Sequence, residues 1–209
     1  KSIPITSLKD LESAVVQLGG ALFLKPRAEG NSRGCTVISS LEDCKRGWNL
    51  VEKYVDGGIV AEELVTDALE FSCDSVGGVS WITAKQNSDG KYRWESKYIL
   101  PAPVDELTTH KILEGGRFMA SVCGSNGGAY HNEIFYKNKT DELIAVEPNL
   151  RPAGGRIWDA AKLAFRNFDP WRLWIHSMTG NKINNVKLER EYYVAFKMIN
   201  AAKDGILLD

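Results

Sequence analysis

Four cysteines in 209 residues, none of them in a CxxC pair, leave this chain without the ligand spacing of a zinc site. Cys35, Cys44, Cys73 and Cys123 are widely scattered and read as the reduced thiols of a cytoplasmic protein, although their spacing does not by itself forbid a disulfide. No apolar run approaches the roughly 20 residues that span a bilayer, so no membrane-spanning helix is expected. A formal net charge of -1 gives no electrostatic argument for nucleic acid or an anionic membrane, although a local basic patch is compatible with a neutral total. Internal repeats and low-complexity tracts are missing, as are the HRD and DFG motifs of a protein kinase. The first residue is Lys1 and no signal-peptide apolar region follows it, so the sequence reads as a piece of a longer chain. What is present is ordinary for a soluble globular protein, with 44% apolar and 25% charged residues. The length suits one sizeable core or two small lobes.

Ser7 to Leu18 carries apolar residues at Leu8, Leu11, Val15 and Leu18 behind Ser7 as N-cap, which predicts an amphipathic helix closed by Gly19-Gly20. Ala21 to Lys25 is a short strand delivering Lys25 at its end, and the polar loop RAEGNSRG separates it from a second strand, CTVIS. Ser40 and Asp43 in SLED form a capping-box pattern before a helix that ends near Asp56-Gly57-Gly58, and Ile59 to Val65 returns to strand. From Glu70 three strand candidates follow, EFSCDSV, GVSWITA and YRWESKYIL, with a turn signal at Gly77-Gly78 that favours antiparallel pairing. Glu106 to Cys123 is a helical pattern broken by Gly115-Gly116. AYHNEIFY and Leu143 to Glu147 bracket KNKTDE as a hairpin, and two helices and a strand at Tyr192 to Ile199 complete the chain. The aromatic run Phe165, Phe168, Trp171, Trp174 reads as core, since nothing basic and extended accompanies it.

The stretch richest in chemistry is LIAVEPNLRPAGGR, Leu143 to Arg156. Side chains alternate along a strand, so Glu147, Asn149 and Arg151 share one face for as long as the chain stays extended. An acid and an amide oxygen are hard ligands suited to Mg²⁺, which prefers carboxylates plus substrate phosphates, and a nearby Arg suits a phosphoryl group or a carboxylate. The same residues are equally consistent with a solvated strand end. Lys25 under a polar, glycine-containing loop supplies a cation and backbone N–H groups for phosphate, but surface strands often end in Lys.

Four segments, in order, resemble the ATP-grasp superfamily of carboxylate–amine ligases. LFLKPRAEGNSRG is similar to that family's strand-Lys-Pro and phosphate-covering loop, IVAEELV to its adenine hinge, LEFSCD to the strand with its ribose-binding acid, and IAVEPNLRPAGG to its E-x-N-x-R metal signature. The resemblance covers most of the chain. It implies an α+β ATP-grasp fold, two α+β lobes with largely antiparallel sheets gripping ATP between them, with residues 1–65 as the small lobe and 66–209 as the large one. Carried over by position, Lys25 would contact the phosphates, and Gly30, Asn31, Ser32, Arg33 and Gly34 would cover them. Glu62 would face the adenine amino group, the backbone around Glu63, Leu64 and Val65 would line the base, and Glu70 would hold the ribose. Glu133, Glu147 and Asn149 would ligate Mg²⁺, or Mn²⁺ in its place, and Arg151 would meet the acyl phosphate or the substrate carboxylate.

Lys97, in SKYILPAP, resembles a substrate-side lysine of biotin-carboxylase-like members; the bland alternative is an exposed strand lysine. His131 would support its neighbours or pack rather than ligate, because this chemistry uses oxygen ligands. The covering loop has fewer glycines than the biotin-carboxylase version, which places the chain nearer the amino-acid ligases. The family's preceding domain, and a further nucleotide-contacting lysine, lie outside this sequence. The implied activity is ATP-dependent carboxylate–amine ligation through an acyl phosphate; the alternative is a nucleotide-binding module without ligase activity. The implied partners are small-molecule carboxylate and amine substrates and an upstream domain of the same polypeptide, with a homodimer left open.

Overall fold

The computed structural model of the chain describes residues 1–30, 32–87, 95–125, 127–181 and 186–199. It divides into two compact units, Lys1–Thr66 with Asn87–Glu95, and Asp67–Gln86 with Ser96–Asp209.

In the first unit, β1 (Ser2–Ile5), β2 (Leu22–Pro26), β3 (Thr36–Ile38) and β4 (Ile59–Glu63) form an antiparallel sheet in the order β1-β4-β2-β3. Helix α1 (Leu8–Gln17) starts where expected: Ser7 is extended and its hydroxyl accepts the Asp10 N–H at 3.2 Å. Its Leu11, Ala14 and Val15 join Leu22, Leu24, Ile38, Ile59 and Ala61 in one core. The predicted capping box at SLED is not formed. The Ser40 side chain caps nothing, and the Asp43 carboxylate instead accepts the Ser39 N–H at 3.1 Å. A short 3-10 turn, Leu41–Asp43, then leads into α2 (Cys44–Val51).

The second unit is built on a six-stranded sheet, order β10-β7-β6-β5-β8-β9. Its strands are β5 (Leu69–Val76), β6 (Val79–Asn87), β7 (Glu95–Leu100), β8 (Tyr130–Lys137), β9 (Glu142–Glu147) and β10 (Val194–Lys197). Gly77 and Gly78, at φ +57 and +81, close the β5–β6 hairpin with the left-handed pair that a two-residue turn demands. The β5–β8, β8–β9 and β7–β10 pairs are antiparallel as well.

Alternation gives this sheet two different faces. Phe71, Cys73, Ile82, Tyr130 and Ile134 pack with Ile112 and Ala120 of α3 (Glu106–Val122). On the opposite face Val76, Val79 and Trp81 pack with Ile157, Trp158, Ala160, Ala161 and Ala164 of α4 (Ile157–Ala164), and α5 (Pro170–Met178) adds Trp174 to that cluster. Phe165 and Phe168 are buried there, as the core reading of the aromatic run expects, whereas Trp171 is exposed. Helix α3 is continuous through Gly115-Gly116, contrary to the predicted break. A Cβ at Gly116 would stand 2.3 Å from Cys73 Sγ, so the glycine lets the helix lie directly on β5. Among the described residues no helix is long and apolar enough to cross a membrane.

Candidate functional site

The α4 side of the six-stranded sheet changes character along the strands. At the hairpin end it is apolar; toward the other end it carries charge. The register sets Glu70 opposite Lys85, Ser72 opposite Glu133, Asp74 opposite His131, and Glu133 opposite Glu147. Residues directly opposite in an antiparallel pair share a face, so Glu70, Lys85, His131, Glu133 and Glu147 belong to one polar surface.

Lys85 is its centre. Its side chain is 1% exposed, and Nζ lies 2.5 Å from Glu133 Oε1 and 3.5 Å from Glu70 Oε1. On the other side of Glu133, His131 Nε2 stands 3.5 Å from the same Oε1, while His131 Nδ1 lies 2.9 Å from Asp74 Oδ1. Ser72 Oγ donates to Asp74 Oδ2 at 2.8 Å. Asp74 and Ser72 are fully buried, so this chain of partners offsets the large cost of placing charge inside the protein. Burial alone would raise the Glu133 carboxyl. The His131 hydrogen bond and the Lys85 charge outweigh it and hold the group down at about 2. Burial would likewise lower His131, but the Asp74 carboxylate overrides it and pushes the imidazole up to about 9.

Between Glu133 and Ile134 the β8–β9 register shifts, leaving Val146 as an extra residue in β9. The bulge aligns Glu147 with Glu133. The strand then ends, so the same-face argument for Asn149 and Arg151 does not hold beyond Glu147. Asn149 is nonetheless held beside β8: its carbonyl accepts the His131 N–H at 2.8 Å, and its own N–H donates to Asn132 Oδ1 at 3.0 Å. Its side-chain nitrogen is buried without a hydrogen-bond partner among the described residues. Arg151 is exposed, donates to the Pro152 carbonyl at 3.0 Å, and lines a cleft of about 530 Å³ with Leu150, Trp174 and Met178.

Glu133, Glu147 and Asn149 fit a hard cation. Glu147 is exposed opposite Glu133, whose charge Lys85 and His131 already balance, and both carboxylates and the Asn149 side-chain oxygen are hard donors. Among the described residues no group of three or more His, Cys, Asp and Glu is placed to hold a metal ion. The donor set of two carboxylates and an amide oxygen is of the kind an ion such as Mg²⁺ takes when phosphate oxygens and water complete its shell.

Lys97 does not join this surface. Its neighbours Tyr98 and Leu100 face the α4 core, so alternation turns Lys97 to the other side of β7, where the register sets it opposite Lys197. In the first unit, Lys25 Nζ lies 2.8 Å from Glu62 Oε2, which brings together the two residues singled out there for phosphate and adenine. Glu63 ends β4, and Leu64 and Val65 follow it. In the loop after β2 Arg33 pairs with Glu29 at 2.8 Å. Ser32 and Gly34 adopt positive φ, and a Cβ at Gly34 would stand 2.7 Å from Pro26 Cγ. Gly30 accepts the Arg33 N–H at 3.3 Å, and Asn31 lies outside the described residues. Lys85 and Asp74 were not legible as site residues. The sequence signal is weak: Lys85 shares its strand face with Val79 and Trp81, whereas Asp74 falls in register with Glu70 and Ser72 and reads as solvent-facing.

No family model matches the chain. Among curated proteins it is similar to the alanine–anticapsin ligase of Bacillus amyloliquefaciens, with 25% identity over 72% of this chain and 37% of that protein. It is also similar to the D-alanine–D-alanine ligase of Aromatoleum aromaticum, with 32% identity over 52% of this chain and 38% of that protein. The chain thus spans well under half the length of these relatives. Among solved structures it superposes on the ADP complex of N5-carboxyaminoimidazole synthetase from Staphylococcus aureus, with a TM-score of 0.71, 19% identity, and coverage of 93% of this chain and 50% of that one. The L-amino acid ligase from Bacillus licheniformis gives a TM-score of 0.67 at 23% identity, covering 84% and 42%.

Proposed function

We propose, from the premise that this chain has the ATP-grasp fold, that the full protein is an ATP-dependent ligase joining a carboxylate to an amine through an acyl phosphate. The observation that carries the reading is the opposition of Glu133 and Glu147 across β8 and β9, with Asn149 beside them and Glu70 on the same face. Glu133, Glu147 and Asn149 would hold Mg²⁺, or Mn²⁺ in its place, through oxygen atoms. When bound, the cation supplies charge neutralisation and alignment to the phosphate oxygens.

In the proposed reaction a substrate carboxylate oxygen attacks the γ-phosphorus and ADP leaves with the electrons of the broken P–O bond. The amine nitrogen then attacks the acyl carbon, inorganic phosphate departs, and the amine proton passes to solvent. No side chain becomes covalently bonded. Glu70 would anchor the ribose hydroxyls, and the Lys25–Glu62 pair with the Gly30 to Gly34 loop would serve the phosphates and base, the base being lined by Glu63, Leu64 and Val65. Arg151 would neutralise charge on the transferred phosphoryl group or the substrate carboxylate, which is electrostatic stabilisation rather than chemistry by the side chain. Lys97, on the other sheet face, is left with a substrate-side role only through a segment other than the Glu133 surface. A cytoplasmic location, an upstream domain and a homodimer belong to the same proposal.

The test is ADP release by the full-length protein across a panel of carboxylate and amine pairs. The reading expects release that needs both members of at least one pair. MgATP binding with no pair turned over would instead favour a nucleotide-binding module without ligase activity, and no nucleotide binding would exclude both.

A further inference from the structure

We infer that Lys85 is a positioning residue that ties the nucleotide acid Glu70 to the metal acid Glu133, so that binding of nucleotide and of cation to this sheet is coupled through one ammonium group. The inference rests on the ligase reading for the identity of the two ligands, but its geometry is independent of it. Lys85 projects from β6 onto the face it shares with Glu70 on β5 and Glu133 on β8, and its Nζ contacts both carboxylates, at 3.5 and 2.5 Å. It lies directly opposite Glu70 and reaches diagonally across β5 to Glu133, whose own opposite residue there is Ser72.

A lysine in this position does something that a surface ion pair does not. Its side chain is 1% exposed, while Glu70 and Glu133 are 10% and 19% exposed, so the contacts lie away from solvent, where screening is weak and geometry is fixed. Glu133 must present an oxygen to a cation beside the like-charged Glu147. Lys85 and His131 both approach Oε1 of Glu133, which fixes the carboxylate's rotation and leaves Oε2 outside these two contacts. A group that orients a metal ligand in this way typically changes metal affinity by about 10- to 100-fold when removed. Because the same Nζ also contacts Glu70, displacing that carboxylate moves the lysine that orients Glu133. Removing the Glu70 charge should therefore be felt at the cation, although Glu70 is not among the three residues assigned to it.

The experiment uses the full-length protein and Mn²⁺ as the probe, its binding followed by the loss of the free-ion electron paramagnetic resonance signal, alone and with ATP present. Lys85→Met keeps length and apolar bulk and removes the charge; Lys85→Arg keeps the charge and both reaches. Lys85→Met should weaken Mn²⁺ binding by about 10- to 100-fold and reduce the factor by which ATP tightens it, and Lys85→Arg should restore most of both. Glu70→Gln should weaken Mn²⁺ binding in the absence of ATP by several-fold, a readout that stands even where Lys85→Met does not fold. Wild-type binding of Mn²⁺ and ATP with unaltered Mn²⁺ affinity in Glu70→Gln and in folded Lys85→Met would overturn the inference while leaving the ligase reading intact. A wild-type protein that binds neither Mn²⁺ nor ATP overturns the ligase reading and this inference together.

Discussion

Asp74 is fully buried, and its carboxylate has two hydrogen-bond partners, His131 and Ser72. Removing one member of a buried pair leaves the other uncompensated. Asp74→Asn is expected to lower unfolding stability by about 3–5 kcal/mol in denaturant titrations, whereas Asp74→Asn with His131→Gln, which removes both charges, should regain much of the loss. The pH dependence has a definite sign. The folded His131 holds its proton up to about pH 9, above its ordinary value of 6.5, so the pair's stabilisation is complete below pH 6.5 and is lost as pH rises through 9. Stability measured across that window should fall in the wild type and flatten in Asp74→Asn. At Glu147 the expectation concerns chemistry rather than folding. The residue is exposed and faces Glu133 across the strand pair, so Glu147→Gln should leave the fold intact and reduce metal-dependent turnover by the equivalent of about 2.7–4 kcal/mol, by analogy with loss of one oxyanion-hole donor.

Among the elements, α3 and β9 show how local pattern and tertiary fit part company. Helix propensity makes a Gly-Gly pair a weak point, and the sequence accordingly predicts a break at Gly115-Gly116. The helix runs on because packing against β5 compensates, and the space there is small enough that the glycine is required. Gly116→Ala should cost about 1–3 kcal/mol through overpacking against Cys73, read as a lower Tm with an unchanged helical signal by circular dichroism. In β9 the alternation of Leu143 to Glu147 was legible, since a period of two needs only the sequence. The bulge at Val146, which sets Glu147 against Glu133, was not, because it depends on how the partner strand pairs. The SLED segment shows the same limit: a capping pattern is present, yet Asp43 is taken by the Ser39 N–H.

For the molecule as a whole, most strands and helices could be read from the chain, because each is carried by a local run with its own turn signals; β1 was not, and the acids Glu70 and Glu133 were marked only by the family resemblance. The central cation could not. Lys85 and Glu133 are 48 residues apart, and Asp74 and His131 are 57 apart, so their meeting depends on sheet order β6-β5-β8 rather than on any neighbouring residue. A lysine in a β-rich run is ordinarily read as solvated, and only its place between Glu70 and Glu133 in the assembled sheet makes it buried. The proposed function stands on the opposed carboxylates Glu133 and Glu147 forming a cation site that serves a nucleotide. Its most direct test is calorimetric titration of ATP into the full-length protein, with and without Mg²⁺, in the wild type and in Glu147→Gln. Mg²⁺-enhanced ATP binding in the wild type and loss of that enhancement in the variant are the expected results; equal enhancement in both proteins, or no ATP binding by the wild type, would overturn the cation site.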